Sequence, residues 1–112
     1  MSISQDTIDL ADMTANSEAA ASLLRALSSG PRLLILCHLA AAGELPVGAL
    51  VERLGLSQSA LSQHLAKLRE QDLVAFRREA QSLHYRIADP RALRVLELLQ
   101  EIFCPDLVTA PV

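Results

Sequence analysis

A glycine at position 55 separates two short segments whose apolar residues recur at helical spacing. The first segment spans residues 46–54 and the second spans residues 58–71, with Ser57 placed to cap the second helix. The apolar positions of the two segments are Val47, Leu50, Val51 and Leu54, followed by Leu61, Leu65 and Leu68. Two short helices joined by a glycine turn are typical of a helix-turn-helix. This motif predicts the centre of the fold.

The residues after the helix-turn-helix predict a β-hairpin and a final helix. Apolar residues alternate with polar residues in two short runs, 73–78 and 83–88. Asp89 and Pro90 are signals for the start of a helix, which we expect to end at Phe103. This last helix has more apolar surface than one small core needs, at Leu93, Leu96, Leu99, Ile102 and Phe103.

Two further helices are predicted before the helix-turn-helix. Asn16 or Ser17 can cap the first, which we expect to run to about Ser28. The second, over residues 31–41, is apolar on nearly all sides, as a central core helix is, and Gly43 ends it. Hydrophobic residues make up 51% of the chain and aromatic residues 3%, so the core is aliphatic. We therefore predict a mainly α fold, a winged helix-turn-helix of about five helices with a two-stranded β-hairpin wing.

A chain of 112 residues is long enough for one domain. We expect a flexible N-terminal arm at residues 1–14, the winged-helix domain at 15–104 and a short tail at 105–112. The N-terminus is acidic where a signal peptide would be basic, and the longest apolar run is about half of a membrane span. These features predict a cytoplasmic protein without membrane contact.

Helical geometry places a polar surface opposite the leucines of the second helix of the motif. Its members are Gln58, Ser59, Ser62, Gln63 and Lys67. Serine and glutamine can hydrogen-bond to bases in the major groove, although a merely solvated polar face is the alternative. Between Arg53 and Arg94 the net charge is +4, and in the rest of the chain it is −7. Positive charge concentrated around the motif and the hairpin favours DNA binding.

Three stretches resemble the ArsR/SmtB family of winged-helix repressors: GPRLLILCHL, GELPVGALVERLGLSQSALSQHLAKLRE and RREAQSLHYRI. The match runs from about residue 20 to residue 104. The resemblance implies a homodimer built from the first and last helices, a recognition helix that begins near Ser57 and a wing around residues 77–82. The basic side chains of Arg77 and Arg78 on that wing are predicted to contact the phosphates of double-stranded operator DNA. By the same match, the family's DNA-contacting positions are filled by Gln58, Ser59, Ser62 and Gln63. His64 is as compatible with packing as with DNA contact.

Many members of this family sense metals, but its usual ligand positions are not filled in this chain. The Cys-x-Cys of one familiar site is replaced by the residues Glu-Leu-Pro-Val-Gly at 44–48. The last helix, which carries a second site in other members, has Glu97 and Glu101 but no histidine. The three histidines of the chain lack ligand spacing. We therefore expect no metal site and no cofactor.

The two cysteines resemble those of another branch of this family. That branch uses one cysteine on the second helix and one at the end of the last helix as a dithiol sensor of reactive sulfur species or oxidants, and Cys37 and Cys104 fall on the matching positions. The alternative is two buried small hydrophobes, above all for Cys37 among leucines. The helix dipole disfavours a thiolate at Cys104, so any activation would come from tertiary neighbours.

These patterns predict a DNA-binding transcriptional regulator, a repressor released when the cysteine pair is persulfidated or oxidised. A metal-responsive repressor of the same family is one alternative, and an inducer-free winged-helix protein that binds DNA or a protein partner is another. The sequence contains no paired carboxylates, Ser/His/Asp set or phosphate-binding loop. We therefore predict no catalytic residues and no enzyme activity.

Overall fold

Residues 8–105, which the computed structural model describes, form five helices and a three-stranded antiparallel sheet. In chain order the elements are α1 (Leu10–Leu27), α2 (Gly30–Ala42), β1 (Leu45–Pro46), α3 (Val47–Leu54), α4 (Gln58–Glu70), β2 (Val74–Glu79), β3 (Ser82–Ile87) and α5 (Pro90–Phe103). The strand order in the sheet is β1-β3-β2. Helices α3 and α4 form the helix-turn-helix and strands β2 and β3 form the wing, so the predicted fold class is confirmed.

Local interactions fix the turn of the helix-turn-helix. Gly55 ends α3 with φ 67°, a left-handed conformation that favours glycine. Ser57 then caps α4, because its side-chain oxygen accepts a hydrogen bond from the backbone N–H of Ala60 at 3.0 Å. Both residues act where the sequence predicts, which explains why the start of α4 is predicted correctly.

The hydrophobic core is built around α2. Its Ile35, Leu36 and Leu39 are 0%, 0% and 1% exposed. Helices α3, α4 and α5 and strand β3 all contact α2. Helix α4 contributes a buried stripe to the same core, formed by Leu61, Leu65 and Leu68. The central position predicted for the second helix is therefore confirmed.

A third strand extends the predicted two-stranded wing. In β1, Leu45 pairs with Tyr85 and Pro46 pairs with His84, both on β3. A strand of two residues is too short to show alternation, and its proline indicates the start of a helix instead. The sequence therefore gives no signal for β1.

The first helix begins earlier than the sequence indicates. Its N-cap is Asp9, whose carboxylate accepts two backbone hydrogen bonds from the first turn at 3.0 and 3.2 Å. The helix therefore starts at Leu10, and the start predicted at Asn16 or Ser17 is wrong. Residues 10–19 are all exposed, so no buried stripe marks this part of the helix in the sequence.

The described residues cover part of the two terminal segments predicted from sequence. Of the arm predicted at residues 1–14, residues 10–14 lie within α1. Residues 1–7 of that arm lie outside the described residues, as does all of the predicted tail except Pro105.

No single helix within residues 8–105 is long and apolar enough to cross a membrane. Helices α1 and α2 reach the required length and composition only as a pair, and a bend of 92° separates them. The most deeply buried apolar residues of α2 belong to the core of the fold.

The N-cap of α4 can be tested by substitution. Ser57→Ala should lower the free energy of unfolding by about 1 kcal/mol, because the N–H of Ala60 loses its acceptor. The matched control is Ser59→Ala, since the hydroxyl of Ser59 is exposed and does not hydrogen-bond to another described residue. Denaturant unfolding of the two variants measures the difference. Equal stability of the two variants would contradict the capping role.

Candidate nucleic-acid interface and cysteine pair

One face of α4 carries the polar side chains predicted to read DNA. All five of them are exposed, namely Gln58, Ser59, Ser62, Gln63 and Lys67. The leucines of the buried stripe lie on the other side of the helix. The structure therefore presents the predicted surface to solvent, and its N-terminal half is uncharged.

The tip of the wing lies beside the start of α4. A groove of about 560 Å³ is lined by Gln58 and Ser62 of α4 and by Gln81 and Ser82 of the hairpin. Arg69, near the end of α4, lines the same groove. A duplex lying against α4 would therefore also meet the tip of the wing.

Arg77 of the wing is engaged in ion pairs. Its Nε donates hydrogen bonds to both carboxylate oxygens of Glu44 at 3.0 Å. Its Nη2 lies 2.8 Å from Glu44 Oε1 and 3.1 Å from Glu79 Oε2. His84 lies opposite Arg77 on β3, with ring nitrogens 3.9 Å from Glu44 and 3.6 Å from Glu79. The guanidinium predicted to contact phosphate therefore ties the wing to the residue before β1.

The ion pair between Arg77 and Glu44 persists at neutral pH. The hydrogen bond from Arg77 lowers the pKa of Glu44, and the charges of Arg77, His84 and Arg86 lower it further. The same hydrogen bond raises the pKa of Arg77. Both groups therefore stay charged, and carboxylates already occupy part of the hydrogen-bonding capacity of Arg77.

Arg78 is placed differently from its neighbour. It follows Arg77 on β2, so its side chain points to the opposite face of the strand. It is exposed and forms no ion pair with another residue in the described part of the chain. Of the two wing arginines, Arg78 is the one without a carboxylate partner among the described residues.

Three side chains stack between α4 and the wing, and the sequence analysis does not predict this stack. The guanidinium carbon of Arg69 lies 4.9 Å from the centre of the Phe76 ring. The rings of Phe76 and Tyr85 have centres 5.3 Å apart. Phe76 and Tyr85 are directly opposite in the hairpin register, so strand alternation contains a signal for that pair. The approach of Arg69 depends on the tertiary fold.

His64, whose role the sequence leaves open, is partly buried in α4. Its Nδ1 is buried and has no hydrogen-bond partner within residues 8–105. The burial of this ring atom favours packing over DNA contact for His64.

Cys37 and Cys104 line one groove between α2 and α5. The groove has a volume of about 610 Å³. Both cysteines are free thiols and both are exposed. The alternative in which Cys37 is a buried small hydrophobe is therefore contradicted. Cys104 is the C-cap residue of α5, at the helix end expected from sequence.

The surroundings of Cys37 affect its reactivity. Partial desolvation by its neighbours raises the pKa of Cys37, and electrostatic repulsion between its thiolate and the nearby Cys104 raises it further. Although the side chain is exposed, apolar neighbours remove part of its water. Because the thiolate is the nucleophilic form, Cys37 is a weaker nucleophile at neutral pH than an ordinary cysteine.

The histidines of the chain stand on three separate elements, α2, α4 and β3. Within residues 8–105, no group of three or more His, Cys, Asp and Glu side chains is arranged to hold a metal ion. Glu97 is the acidic residue in the groove with the two thiols.

Residues 29–75 match the family model described as bacterial regulatory protein, arsR family. The chain is 46% identical over 97 residues to the transcriptional activator HlyU of Vibrio cholerae, a match covering 87% of this chain and 89% of that protein. It is 40% identical over 97 residues to the HTH-type transcriptional regulator YgaV of Escherichia coli, covering 87% and 98%. The chain belongs to the ArsR family. A solved structure of this type, the transcriptional repressor BigR of Xylella fastidiosa, matches with a TM-score of 0.81 and 36% identity over 87% of this chain and 98% of that chain.

Membership of the ArsR family settles the broad function. The protein is a DNA-binding transcriptional regulator with a winged helix-turn-helix. Its relatives are transcriptional regulators and not enzymes, so the prediction that this chain is not an enzyme is confirmed. The family predicted from the three sequence stretches is also confirmed.

The two wing arginines should differ in their effect on DNA binding. Arg78→Ala should weaken binding to DNA of any sequence. It should also reduce the slope of log affinity against log salt concentration by about 1, as expected for the loss of one phosphate contact. Arg77→Ala should change the slope less, because its guanidinium is already paired with Glu44. Fluorescence anisotropy titrations at several salt concentrations measure both slopes. A larger change for Arg77→Ala would mean that Arg77 leaves Glu44 to bind phosphate.

Proposed function

We propose that the protein is a repressor that binds double-stranded operator DNA as a homodimer and is released when Cys37 and Cys104 become bridged. The inducer is a reactive sulfur species or an oxidant, and the protein works in the cytoplasm without membrane contact. The observation that supports this proposal is the position of the thiols. Both are free and exposed, and both line the groove between the core helix α2 and α5.

In this proposal α4 is the recognition helix. Its uncharged side chains read base edges in the major groove, because glutamine can pair with adenine and serine can bond to bases or phosphate. These side chains are Gln58, Ser59, Ser62 and Gln63. Lys67 and Arg78 add phosphate contacts, which position the helix without reading sequence. Arg77 positions the wing through Glu44 and adds positive charge nearby.

The two thiols react in sequence. The raised pKa of Cys37 lowers its thiolate fraction, and Cys104 stands exposed at the end of α5, so we assign the first attack to Cys104. Cys104 Sγ takes an oxygen atom from a peroxide, releasing water or an alcohol, or takes a sulfur atom from a persulfide, releasing a thiol. Cys37 Sγ then attacks Cys104 Sγ, so that an S–S bond forms and water or hydrogen sulfide departs.

A bridge between α2 and α5 reaches the DNA surface through the core. A disulfide holds its two Cα atoms about 5.5 Å apart, which fixes the end of α5 against α2. Leu36 of α2 and Leu61 of α4 belong to the same buried cluster. Because such cores are close-packed, a shift of α2 moves α4 as well. In a dimer this changes the distance between two recognition helices that must meet half-sites about 34 Å apart.

The proposed dimer uses apolar side chains that a single chain leaves in solvent. They come from α1, the residues next to it and α5, and include Ile8, Leu10, Met13, Leu24, Leu98 and Ile102. Exposed apolar side chains concentrated on two helices in this way favour an interaction surface. Residues 10–19 of α1 are exposed throughout, so this half of the helix gains little from packing within one chain.

The cysteine pair can be tested directly. Wild-type protein treated with a hydroperoxide or an organic persulfide should bind operator at least about tenfold more weakly than reduced protein, a coupling of about 1.4 kcal/mol. Cys37→Ser and Cys104→Ser should both stay on DNA, because a bridge needs two thiols. Anisotropy measures binding, and mass spectrometry should find a modified Cys104 in the Cys37→Ser variant and little modification of Cys37 in the Cys104→Ser variant.

Restoration of binding by a reducing agent is the control for irreversible damage. Fully bridged wild-type protein that binds operator with unchanged affinity would contradict the proposal and favour an inducer-free regulator. Release of the reduced protein by a metal ion, with no change on oxidation, would favour the metal-responsive alternative.

The dimer surface should be sensitive to charge. Ile102→Glu should give monomers that bind operator poorly, because Ile102 is exposed in one chain and would be buried in the dimer. Leu96 is unsuitable for this test, since it is 7% exposed and belongs to the core. The matched control is Gln100→Glu, an exposed position off that apolar face of α5. Light scattering measures the mass of each variant in solution. A dimeric Ile102→Glu variant would show that the dimer interface does not include Ile102.

A further inference from the structure

The two faces of the wing hairpin differ in the side chains that they carry. Leu83 and Tyr85 line the groove beside α4. Arg78 is directly opposite Leu83 in the register, so it points to the α4 side of the hairpin. Arg77 precedes Arg78 on β2, so its side chain points to the face that is turned away from α4.

The face turned away from α4 carries equal numbers of arginines and carboxylates among the described residues. Arg86 belongs to it, because Arg86 lies two residues after His84, the register partner of Arg77. Glu79 lies on it two residues after Arg77, and Glu44 reaches it from the residue before β1. The two carboxylates offset the two arginines, so this face has no net charge when His84 is neutral.

Glu44 supplies most of the contacts that offset the charge of Arg77. Its two carboxylate oxygens accept hydrogen bonds from Nε at 3.0 Å and one of them lies 2.8 Å from Nη2, whereas Glu79 makes one contact at 3.1 Å. The side chains of Arg77 and Glu44 are 49% and 31% exposed. An ion pair this open to solvent adds little to stability. The larger effect of Glu44 is therefore on the net charge that the wing presents to a duplex.

Binding to random DNA and binding to operator DNA depend differently on this charge. Binding to random DNA rests on phosphate contacts, and the orientation of the protein on the duplex is less restricted. Any face of the wing with a net positive charge can then contribute. Operator binding needs base contacts from α4, which hold α4 against the duplex. The face with Arg77, which is turned away from α4, is then turned away from the duplex as well.

We propose that Glu44 is a specificity-determining residue: by offsetting the charge of Arg77, it weakens binding to random DNA and leaves binding to the operator nearly unchanged. This inference rests on the proposed role of α4 in reading bases but not on the cysteine pair. A genome offers very many random sites for each operator, so weaker binding to random DNA increases the share of protein on the operator.

The test replaces Glu44 by its neutral isostere in the full chain. Glu44→Gln keeps an oxygen that can accept a hydrogen bond from Arg77 and removes the negative charge. Affinity for a random-sequence duplex should rise at least about fivefold at about 50 mM salt, and the slope of log affinity against log salt concentration should steepen by about 1 per chain. Affinity for the operator should rise less than about twofold, because base contacts keep Arg77 away from the duplex. Fluorescence anisotropy at several salt concentrations measures both affinities.

Two further variants show whether the effect depends on Arg77. In an Arg77→Ala background, Glu44→Gln should raise the affinity for random DNA less than about twofold, because the guanidinium is absent. The matched control is Glu52→Gln, which removes the same charge from an exposed position on α3 that forms no ion pair with another described residue. It should change the affinities for random DNA and for the operator by the same factor. Thermal unfolding checks that each variant is folded.

A gain in affinity that is confined to random DNA and depends on Arg77 would support the inference. Equal gains on both duplexes, or a gain that persists in the Arg77→Ala background, would overturn it. Weaker binding of Glu44→Gln to both duplexes would make Glu44 a structural support of the wing and would also overturn it. The proposed role of α4 is judged separately by Gln63→Ala, which should weaken operator binding more than binding to random DNA. Equal losses on both duplexes would reject that role of α4.

Discussion

The burial of one face of α2 supports the rest of this structure. Ile35, Leu36 and Leu39 lie at the centre of the core, and α2 contacts α1, α3, α4, α5 and β3. The same helix carries Cys37 on an exposed position. A covalent change at Cys37 therefore acts on the element against which the DNA-binding motif is packed.

The fold is predictable from sequence where local signals decide it, and the misses have physical causes. Gly55 and Ser57 define the turn before α4 through backbone geometry and a side-chain cap, both of which are local. Asp89 defines the start of α5 in a similar way, because its side chain caps that helix. The start of α1 escapes prediction because residues 10–19 bury nothing within one chain, and a polar helix without a buried stripe resembles a flexible segment. Strand β1 escapes because two residues have no periodicity.

The candidate site is only partly predictable for the same reason. The exposed polar face of α4 follows from helical geometry, since it lies opposite three buried leucines. The pairing of Arg77 with Glu44 joins residues 33 positions apart, and no local pattern indicates it. Cys37 is surrounded by leucines in sequence but lies at the edge of a groove, because α2 turns its buried face toward Leu36 and Leu39. Tertiary contacts thus decide which charged side chains are already paired and which thiols are exposed to solvent.

The size of the proposed coupling indicates how little the core has to move. A tenfold effect of bridging on operator affinity is about 1.4 kcal/mol, and by reciprocity the operator disfavours bridging by the same amount. Removing a single buried leucine side chain from a core typically costs about 2–5 kcal/mol. At this smallest expected size, the coupling is below the typical cost of removing one core side chain. A coupling of that size is compatible with a small displacement of α2 against α4 that leaves the core intact.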